Sequence, residues 1–389
     1  MTLYLDYNAT APMPAFVRDA VADSLTSGGN PSSIHKAGRR ARALVEEARE
    51  GVACLVQAKP ANVIFTGGGT EANALALSQA AQWGCVRVLV SAVEHPSILE
   101  AATPLPMERL PVDEEGRLDL NGLTAAVNNA GGPVLLSLMA VNNETGVCQP
   151  VAEATAIVRE YDGFTHCDAV QQVGRMPLSM SETGVDMISV SAHKMGGPAG
   201  VGALVLGDSG HDITPILYGG GQERGRRAGT ENLPGIAGFG AAVELAHSRF
   251  EVFASLKALR DELEARLAPY QAIIFGEKSE RFPNTSCFAL PAMTAQTLVM
   301  ALDLEGIAVS AGAACSSGVV ARSHVLEAMG AAPGMAAGAI RVSLGWETSK
   351  ADINRFINAL ESIVCRISGR SRMSIAVRDT FQPALSMEA

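Results

Sequence analysis

Short apolar segments alternate with helical segments along the first 230 residues of this 389-residue chain, and few folds accommodate that alternation. The apolar segments are of strand length, and Gly, Pro, Asn or Ser bound them. They lie at 63–65, 86–90, 134–139, 187–190 and 201–206, and helical patterns cover 35–57, 70–82 and 151–160. Strands that are apolar throughout need cover on both faces. The pattern therefore predicts the α/β class, with a mostly parallel sheet sandwiched by helices.

The pattern changes after about residue 230. Residues 232–268 have the periodicity of long helices. Strand-like segments near 284–290, 307–310 and 340–344 then alternate with helical segments near 294–304, 323–330 and 350–367. We therefore predict two lobes, a large α/β lobe followed by a smaller α+β lobe.

Composition and charge exclude several classes of protein. Hydrophobic residues make up 48% and charged residues 18%, which is too apolar for a disordered chain. The net charge of −10 argues against a nucleic-acid-binding protein. The sequence shows neither a signal peptide nor a membrane-spanning segment, and its seven cysteines are scattered without a CxxC pair. We therefore expect a cytoplasmic protein with reduced thiols, no contact with membranes or nucleic acids, and no built-in metal site.

One lysine stands apart from the other five. Lys194 directly follows the apolar segment 187–190, and Gly196 and Gly197 come just after it. A lysine at the end of a buried strand is a candidate Schiff-base former, because burial lowers its pKa and frees the amine. The alternative for Lys194 is an exposed loop residue.

Two further features lie at strand ends. The glycines 67–69 follow one strand and open a helix at Thr70, an arrangement that suits a phosphate group but also a plain tight turn. Asp168 ends another short strand, where it is either a helix cap or the partner of a protonated ring nitrogen. A glycine phosphate loop, a strand-end Asp and a strand-end Lys in this order together indicate a pyridoxal 5′-phosphate (PLP) site.

At this level of detail the sequence resembles the cysteine desulfurases of the NifS/IscS type, over nearly its whole length. The context of Cys315 resembles the NifS/IscS branch rather than the SufS branch, and Gly67 departs from the serine expected before Gly68. The matching motifs are Tyr4-Leu5-Asp6, Asn8-Ala9-Thr10, Asn30-Pro31-Ser32-Ser33-Ile34-His35, Gly68-Gly69-Thr70-Glu71-Ala72-Asn73, Glu94-His95-Pro96-Ser97, Asn142-Asn143-Glu144-Thr145-Gly146, Asp168-Ala169-Val170-Gln171, Ser191-Ala192-His193-Lys194, Gly219-Gly220-Gly221-Gln222-Glu223-Arg224, Arg227-Ala228-Gly229-Thr230-Glu231-Asn232, Ser310-Ala311-Gly312-Ala313-Ala314-Cys315-Ser316-Ser317-Gly318 and Ile340-Arg341-Val342-Ser343-Leu344-Gly345.

The resemblance implies the PLP-dependent transferase fold of type I, within the class-V aminotransferase family. It implies a large domain at 14–250 with a seven-stranded, mostly parallel sheet. A small domain at 1–13 and 251–389 carries a mobile loop, about 312–324, with the catalytic cysteine. The implied reaction converts L-cysteine to L-alanine and leaves a persulfide on the enzyme, which donates its sulfur to an iron–sulfur scaffold protein. The implied assembly is a homodimer with shared active sites.

The resemblance also assigns roles to individual residues. Cys315, Lys194 and His95 are the expected catalytic residues, and Asn143 and Arg341 are expected to bind the substrate. Cys315 is in addition a candidate transient iron–sulfur ligand. The expected cofactor-binding residues are Gly69, Thr70, His95, Asn143, Asp168, Gln171, Ser191, His193, Lys194 and, from the partner subunit, Thr230.

Other functions remain open at this point. One is a selenocysteine lyase or another PLP enzyme of the same fold, for which a reactive Cys315 is the discriminating residue. Another is a binding protein that has kept a catalytically dead PLP fold, although every expected catalytic residue is present. Nucleotide binding fails because neither the GxGxxG nor the Walker A fingerprint occurs. Service to nitrogenase and general iron–sulfur assembly are not distinguished by the sequence.

Overall fold

The protein is described here by a computed structural model that covers residues 2–101, 103–208, 211–291, 293–312 and 322–368. The strands within these ranges are β1 (Leu3–Tyr4), β2 (Val63–Thr66), β3 (Arg87–Ser91), β4 (Met107–Leu110), β5 (Val134–Met139), β6 (Phe164–Asp168), β7 (Met187–Ser191), β8 (Gly202–Leu206), β9 (Ile273–Ile274), β10 (Thr285–Ala289), β11 (Ile307–Ala308), β12 (Ser310–Ala311) and β13 (Ala339–Ser343). The α-helices are α1 (Ala15–Ser27), α2 (Lys36–Leu55), α3 (Gly69–Ser78), α4 (Pro96–Leu99), α5 (Leu120–Asn128), α6 (Val151–Arg159), α7 (Met180–Thr183), α8 (Leu233–Ala265), α9 (Ala295–Leu304), α10 (His324–Ala328), α11 (Pro333–Ala336) and α12 (Lys350–Ser368).

A seven-stranded sheet forms the centre of the large lobe, with the strand order β2-β8-β7-β6-β5-β3-β4. The strands β4, β3, β5, β6 and β7 pair in parallel, and β8 is antiparallel to both of its neighbours. The predicted α/β class with a mostly parallel sheet is therefore confirmed. Because the five parallel strands point the same way, their carboxyl ends meet at one edge of the sheet, where ligands of such folds bind.

Helices cover both faces of this sheet. Successive side chains of a strand point to opposite faces. Val88 and Val90 of β3 accordingly pack in one apolar cluster with Leu75 of α3. Leu89, between them, packs on the other side in a cluster that includes Val158 of α6. All of these side chains are buried, which explains why the strands are apolar throughout.

The C-terminal half forms a second, antiparallel sheet with the order β12-β13-β10-β9. Helix α12 buries Ile353, Phe356, Leu360 and Ile363 along one face. Ser349 lies just before this helix, and its Oγ accepts a hydrogen bond from the backbone N–H of Asp352 at 3.4 Å. The carboxylate of Asp352 accepts from the N–H of Ser349 at 2.9 Å in return, so the two residues form a reciprocal cap.

The first residues of the chain lie on the C-terminal half. Strand β1 pairs in parallel with β11, and Asp6 forms a bridge with Ser343 at the end of β13. Helix α8 is one continuous helix that runs through residue 250, where we predicted the boundary between the domains. The helix thus joins the two halves, and the domain limits 14–250 and 1–13 with 251–389 stay a prediction.

Several elements have no counterpart in the predicted pattern, among them α1, β4 and α5. Strand β4 is an edge strand that pairs only with β3 among the described strands, and it carries Glu108 and Arg109. A partly exposed edge strand lacks the continuous apolar signal on which the sequence analysis relied. No helix in the described ranges has both the length and the apolar character to cross a membrane.

Candidate active site

A cavity of about 410 Å³ opens at the carboxyl ends of β5, β6 and β7, against the start of α3. Ten of the predicted site residues line it: Gly69, Thr70, His95, Asn143, Asp168, Gln171, Ser191, His193, Lys194 and Arg341. Two predicted residues remain. Thr230 is exposed and lies outside the cavity of its own chain, and Cys315 lies outside the described residues.

Lys194 ends a short 3₁₀ helix (Ala192–Lys194) that directly follows β7. Its Nζ donates hydrogen bonds to the backbone carbonyls of Asn8 at 2.6 Å and Ala9 at 2.9 Å. Burial, and then the positive charges of Arg175 and Arg341, lower the pKa of this amine to about 7. A large share of the amine is therefore neutral at neutral pH, and the neutral form is the nucleophile.

Asp168 is the last residue of β6 and points into the same cavity. Its Oδ1 accepts from the N–H of Val170 at 3.1 Å, and its Oδ2 accepts from the Asn73 side-chain amide at 2.8 Å. Both donors are neutral. The buried carboxylate is thus held in place while its charge stays available to a protonated ring nitrogen.

The glycines after β2 bring the start of α3 close to the sheet. Gly68 has a φ of 147°, which favours glycine, and it precedes the first residue of the helix. A Cβ on Gly69 would lie 2.9 Å from Cγ2 of Val170, so any larger residue here would force the Val170 side chain or the helix start to move. The Glu71 carboxylate accepts from the N–H of Gly67 at 2.7 Å and pairs with Arg227 at 2.8 Å. The helix start is thereby fixed, and the N–H groups at the start of a helix are suited to bind an anion.

Two histidines line the cavity as neutral groups. Burial and the nearby Lys194 lower the pKa of His193 to about 4, and its Nδ1 lies 3.0 Å from the hydroxyl of Thr10. Burial also lowers the pKa of His95. The Nδ1 of His95 accepts from the N–H of Ser97 at 3.1 Å, so its Nε2 is the nitrogen left to exchange a proton.

Arg341 lies on β13 at the side of the cavity that the C-terminal half contributes. Its Nη2 donates to Asp6 at 2.7 Å and its Nη1 to the carbonyl of Asn143 at 3.0 Å. Its buried Nε has no partner within the described ranges. The residue nevertheless lines the cavity, and the planar donors of a guanidinium are suited to bind a carboxylate.

A buried carboxyl group lies near this arginine. Glu144 follows Asn143, and its Oε2 accepts from the hydroxyl of Ser323 at 2.5 Å. Burial raises the pKa of Glu144 to about 7, although the Ser323 hydrogen bond and the charge of Arg341 work against that rise. Glu144 therefore titrates near neutral pH.

Sequence reasoning missed several residues of the site. Asp6, Asn8 and Asn73 belong to motifs that carried the resemblance, but no role was assigned to them. Arg175 was not noticed at all. Only their positions in the fold identify them as site residues. Asp6 contacts Arg341 and Asn73 contacts Asp168. Asn8 and Arg175 both contact Lys194.

These features fit pyridoxal phosphate. The start of α3 offers N–H groups to a phosphate, Asp168 offers a carboxylate to the ring nitrogen, and Lys194 offers a neutral amine to the aldehyde. The guanidinium of Arg341 lines the same cavity and is one further anion-binding group for a substrate.

Comparison with known proteins agrees with this assignment. The aminotransferase class-V family profile matches residues 3–356. The cysteine desulfurase IscS of Dictyoglomus turgidum is 41% identical over 376 residues, which cover 93% of this chain and 94% of the relative. A cysteine desulfurase of Cereibacter sphaeroides is 40% identical over 95% of this chain and 97% of the relative. The X-ray structure of a NifS-like protein from Rickettsia africae superposes with a TM-score of 0.86 at 34% identity, over 93% of this chain and 99% of that one.

Proposed function

Because this chain belongs to the aminotransferase class-V family, we propose a role for each residue of the site in the removal of sulfur from L-cysteine. The chain is a cysteine desulfurase, and its cofactor is pyridoxal 5′-phosphate. The single observation that supports the residue roles best is the cavity itself, which gathers a neutral lysine amine, a buried carboxylate and a helix start.

When bound, the cofactor supplies an aldehyde and an electron-withdrawing ring that takes up electron density from the substrate Cα. Lys194 binds the aldehyde through Nζ, and Asp168 keeps a proton on the ring nitrogen. Gln171 binds the phenolic oxygen. Gly69, Thr70, Ser191 and His193 bind the phosphate, with His193 acting as a neutral donor because its pKa is low.

The substrate is held at the other side of the cavity. Arg341, which lines the cavity, binds the carboxylate of L-cysteine through its guanidinium, and Asn143 lies beside it. The Nζ of Lys194 takes the proton from the substrate Cα, and the Nε2 of His95 serves as a second acid or base. The imidazole ring of His95 also packs on the cofactor ring.

Cys315 carries the sulfur transfer in this proposal. Its thiolate attacks the substrate sulfur, so that a new S–S bond forms while the carbon–sulfur bond breaks. The bonding pair returns to the substrate carbon, which is protonated to give alanine. The resemblance of the segment around Cys315 to the NifS/IscS branch supports this role.

We further propose a homodimer in the cytoplasm that donates its sulfur to an iron–sulfur scaffold protein, a role typical of the family. Two observations support a dimer. Thr230 is exposed on its own chain, as expected if it completes the phosphate site of the neighbouring subunit. Tyr218 and Leu217, close to it in the sequence, are exposed large apolar residues at 79% and 43%. Sedimentation of the purified enzyme measures the assembly.

Cys315→Ala tests the assigned roles. We expect the variant to keep the visible absorbance of the lysine-bound cofactor and to lose sulfide release from cysteine. Cys54→Ala, at an exposed cysteine, serves as the matched control and should keep both. Sulfide release that survives in Cys315→Ala would rule out the persulfide step. Selenide release from selenocysteine by the same variant would favour the lyase alternative.

A further inference from the structure

The guanidinium of Arg175 is buried beside Lys194, with 1% of its surface exposed. No carboxylate pairs with it within the ranges that the structure describes. Buried arginines are normally paired, because removing a charge from water is costly. Burial lowers the pKa of Arg175 to about 9, so the group still carries its charge at neutral pH. The reaction described above gives this charge no role.

Neutral acceptors from three segments of the site surround Arg175. Its Nε donates to the carbonyl of Lys194 at 2.9 Å. Its Nη1 donates to the side-chain oxygens of Asn8 at 3.0 Å and Gln171 at 2.9 Å. Its Nη2 donates to the carbonyl of Tyr7 at 2.7 Å. One planar group thus fixes the lysine segment, the glutamine and the N-terminal segment relative to one another.

The N-terminal segment is the support of the lysine amine. Arg175 holds the side chain of Asn8, and the backbone carbonyl of the same Asn8 accepts from Lys194 Nζ at 2.6 Å. That carbonyl also accepts from the Gln171 side chain at 3.1 Å. The position of the amine therefore depends on Arg175 through a single intervening residue.

The positive charge of Arg175 also acts on the amine of Lys194. Burial is the largest influence that disfavours the protonated amine of Lys194, and Arg175 is the next largest, ahead of Arg341. Asp168 and Asp6 act in the opposite direction. The neighbouring His193 and His95 are neutral, since burial lowers the pKa of both.

We propose that Arg175 is a positioning residue of the cofactor lysine: it fixes the Asn8 segment on which the amine rests, and its charge favours the neutral, reactive amine. This proposal rests on the assignment of Lys194 as the cofactor lysine. Arginine suits the task better than lysine, because its donors lie in one rigid plane and reach four acceptors at once.

The test uses protein stripped of its cofactor and mixed with PLP at pH values from about 6 to about 9. In the capture step the neutral amine attacks the aldehyde carbon and one water leaves, so the rate follows the neutral fraction of Lys194. Absorbance reports the rate. For the wild type we expect the capture rate to reach half of its maximum at a midpoint pH near the pKa of Lys194, which is about 7.

Arg175→Met removes the positive charge and keeps an unbranched side chain of similar length. We expect the midpoint to rise by about one pH unit, so that capture in the acidic range slows about tenfold. Arg175→Lys keeps the charge and loses the planar donors. We expect it to keep the wild-type midpoint, while its plateau rate at high pH falls several-fold. Arg260→Met is the matched control, because Arg260 is also buried but bonds to Asp261 and Phe282 away from the cavity. The Arg260→Met variant should have a lower melting temperature but the same midpoint pH and the same plateau rate of cofactor capture as the wild type.

An unchanged midpoint in Arg175→Met would overturn the electrostatic part of the proposal. A wild-type plateau in Arg175→Lys would overturn the positioning part, and this variant decides that part even if Arg175→Met does not fold. Lys194→Ala separates the proposal from the function on which it rests. If that variant still gave the absorbance of captured cofactor, the assignment of Lys194 itself would be wrong.

Discussion

The carboxylate of Asp6 accepts a 2.7 Å hydrogen bond from Nη2 of Arg341, although 335 positions separate the two residues in the sequence. The other oxygen of Asp6 accepts from the hydroxyl of Ser310 at 2.8 Å. Asp6 is thereby held on the C-terminal half, and in turn it orients the guanidinium that we assign to the substrate carboxylate.

Asp6→Ala should raise the KM for L-cysteine about tenfold, since a hydrogen bond between charged groups contributes about 1.5–3 kcal/mol. Cofactor binding should be little changed, because Asp6 does not line the cavity. Steady-state kinetics measure the effect. Asp19→Ala, at an exposed carboxylate, is the control. A wild-type KM in Asp6→Ala would show that Arg341 needs no such support.

Asn73→Ala should lower kcat about tenfold, because Asp168 loses the donor that holds its Oδ2. A less fixed carboxylate stabilises the protonated ring nitrogen less well, and the absorbance maximum of the bound cofactor should shift. Asn62→Ala removes a comparable amide, which bonds to Gly207 away from the cavity, and should change neither quantity. An unaltered spectrum together with an unaltered kcat in Asn73→Ala would contradict the assigned role.

Gly69→Ala should weaken PLP binding about tenfold, since its Cβ would lie 2.9 Å from Val170 and the helix start or the strand end must move. Gly334→Ala is a fair comparison, because a Cβ there meets no atom within 4 Å. Equilibrium titration of the stripped protein with PLP measures both dissociation constants. Equal constants for the wild type and Gly69→Ala would mean that the close approach is not needed.

Glu144 should make the enzyme less stable as pH rises toward neutrality. Burial raises the pKa of Glu144 to about 7 from the model-compound value of 4.5. Between those values the folded state keeps a proton that the unfolded state has lost, so stability is full below the unfolded pKa and falls as pH rises. The loss amounts to about 3 kcal/mol by neutral pH.

Glu144→Gln should remove that part of the pH dependence. Relative to the wild type, the variant should gain stability between about pH 5 and about pH 7, as measured by denaturant unfolding. Glu114→Gln, at an exposed glutamate, should leave the pH dependence of the unfolding free energy as it is in the wild type. Parallel stability curves for the wild type and Glu144→Gln would refute the raised pKa.

The sequence was sufficient to predict those elements and residues that a pattern within a short stretch of sequence identifies. The segment 134–139 is β5 to the residue, because all six residues are buried and all but Ser137 are apolar. Lys194 and Asp168 could be found for a similar reason, as polar residues at the ends of such strands. Arg175 could not be found in this way, since its partners Tyr7, Asn8 and Lys194 are brought to it only by the tertiary fold. The roles of Thr230 and Cys315 stay predictions from resemblance.

The pairing of the N-terminal strand with residues near the other end of the chain bears on how the enzyme is made. Asn8 supports the lysine amine, but β1 pairs with β11, and the carboxylate of Asp6 accepts from Ser310 and Arg341, all of which come late in the chain. During synthesis the first dozen residues can pack in their final position only after β13 has left the ribosome. Cofactor capture is therefore expected to follow completion of the chain, and polypeptides that stop before β13 should remain colourless.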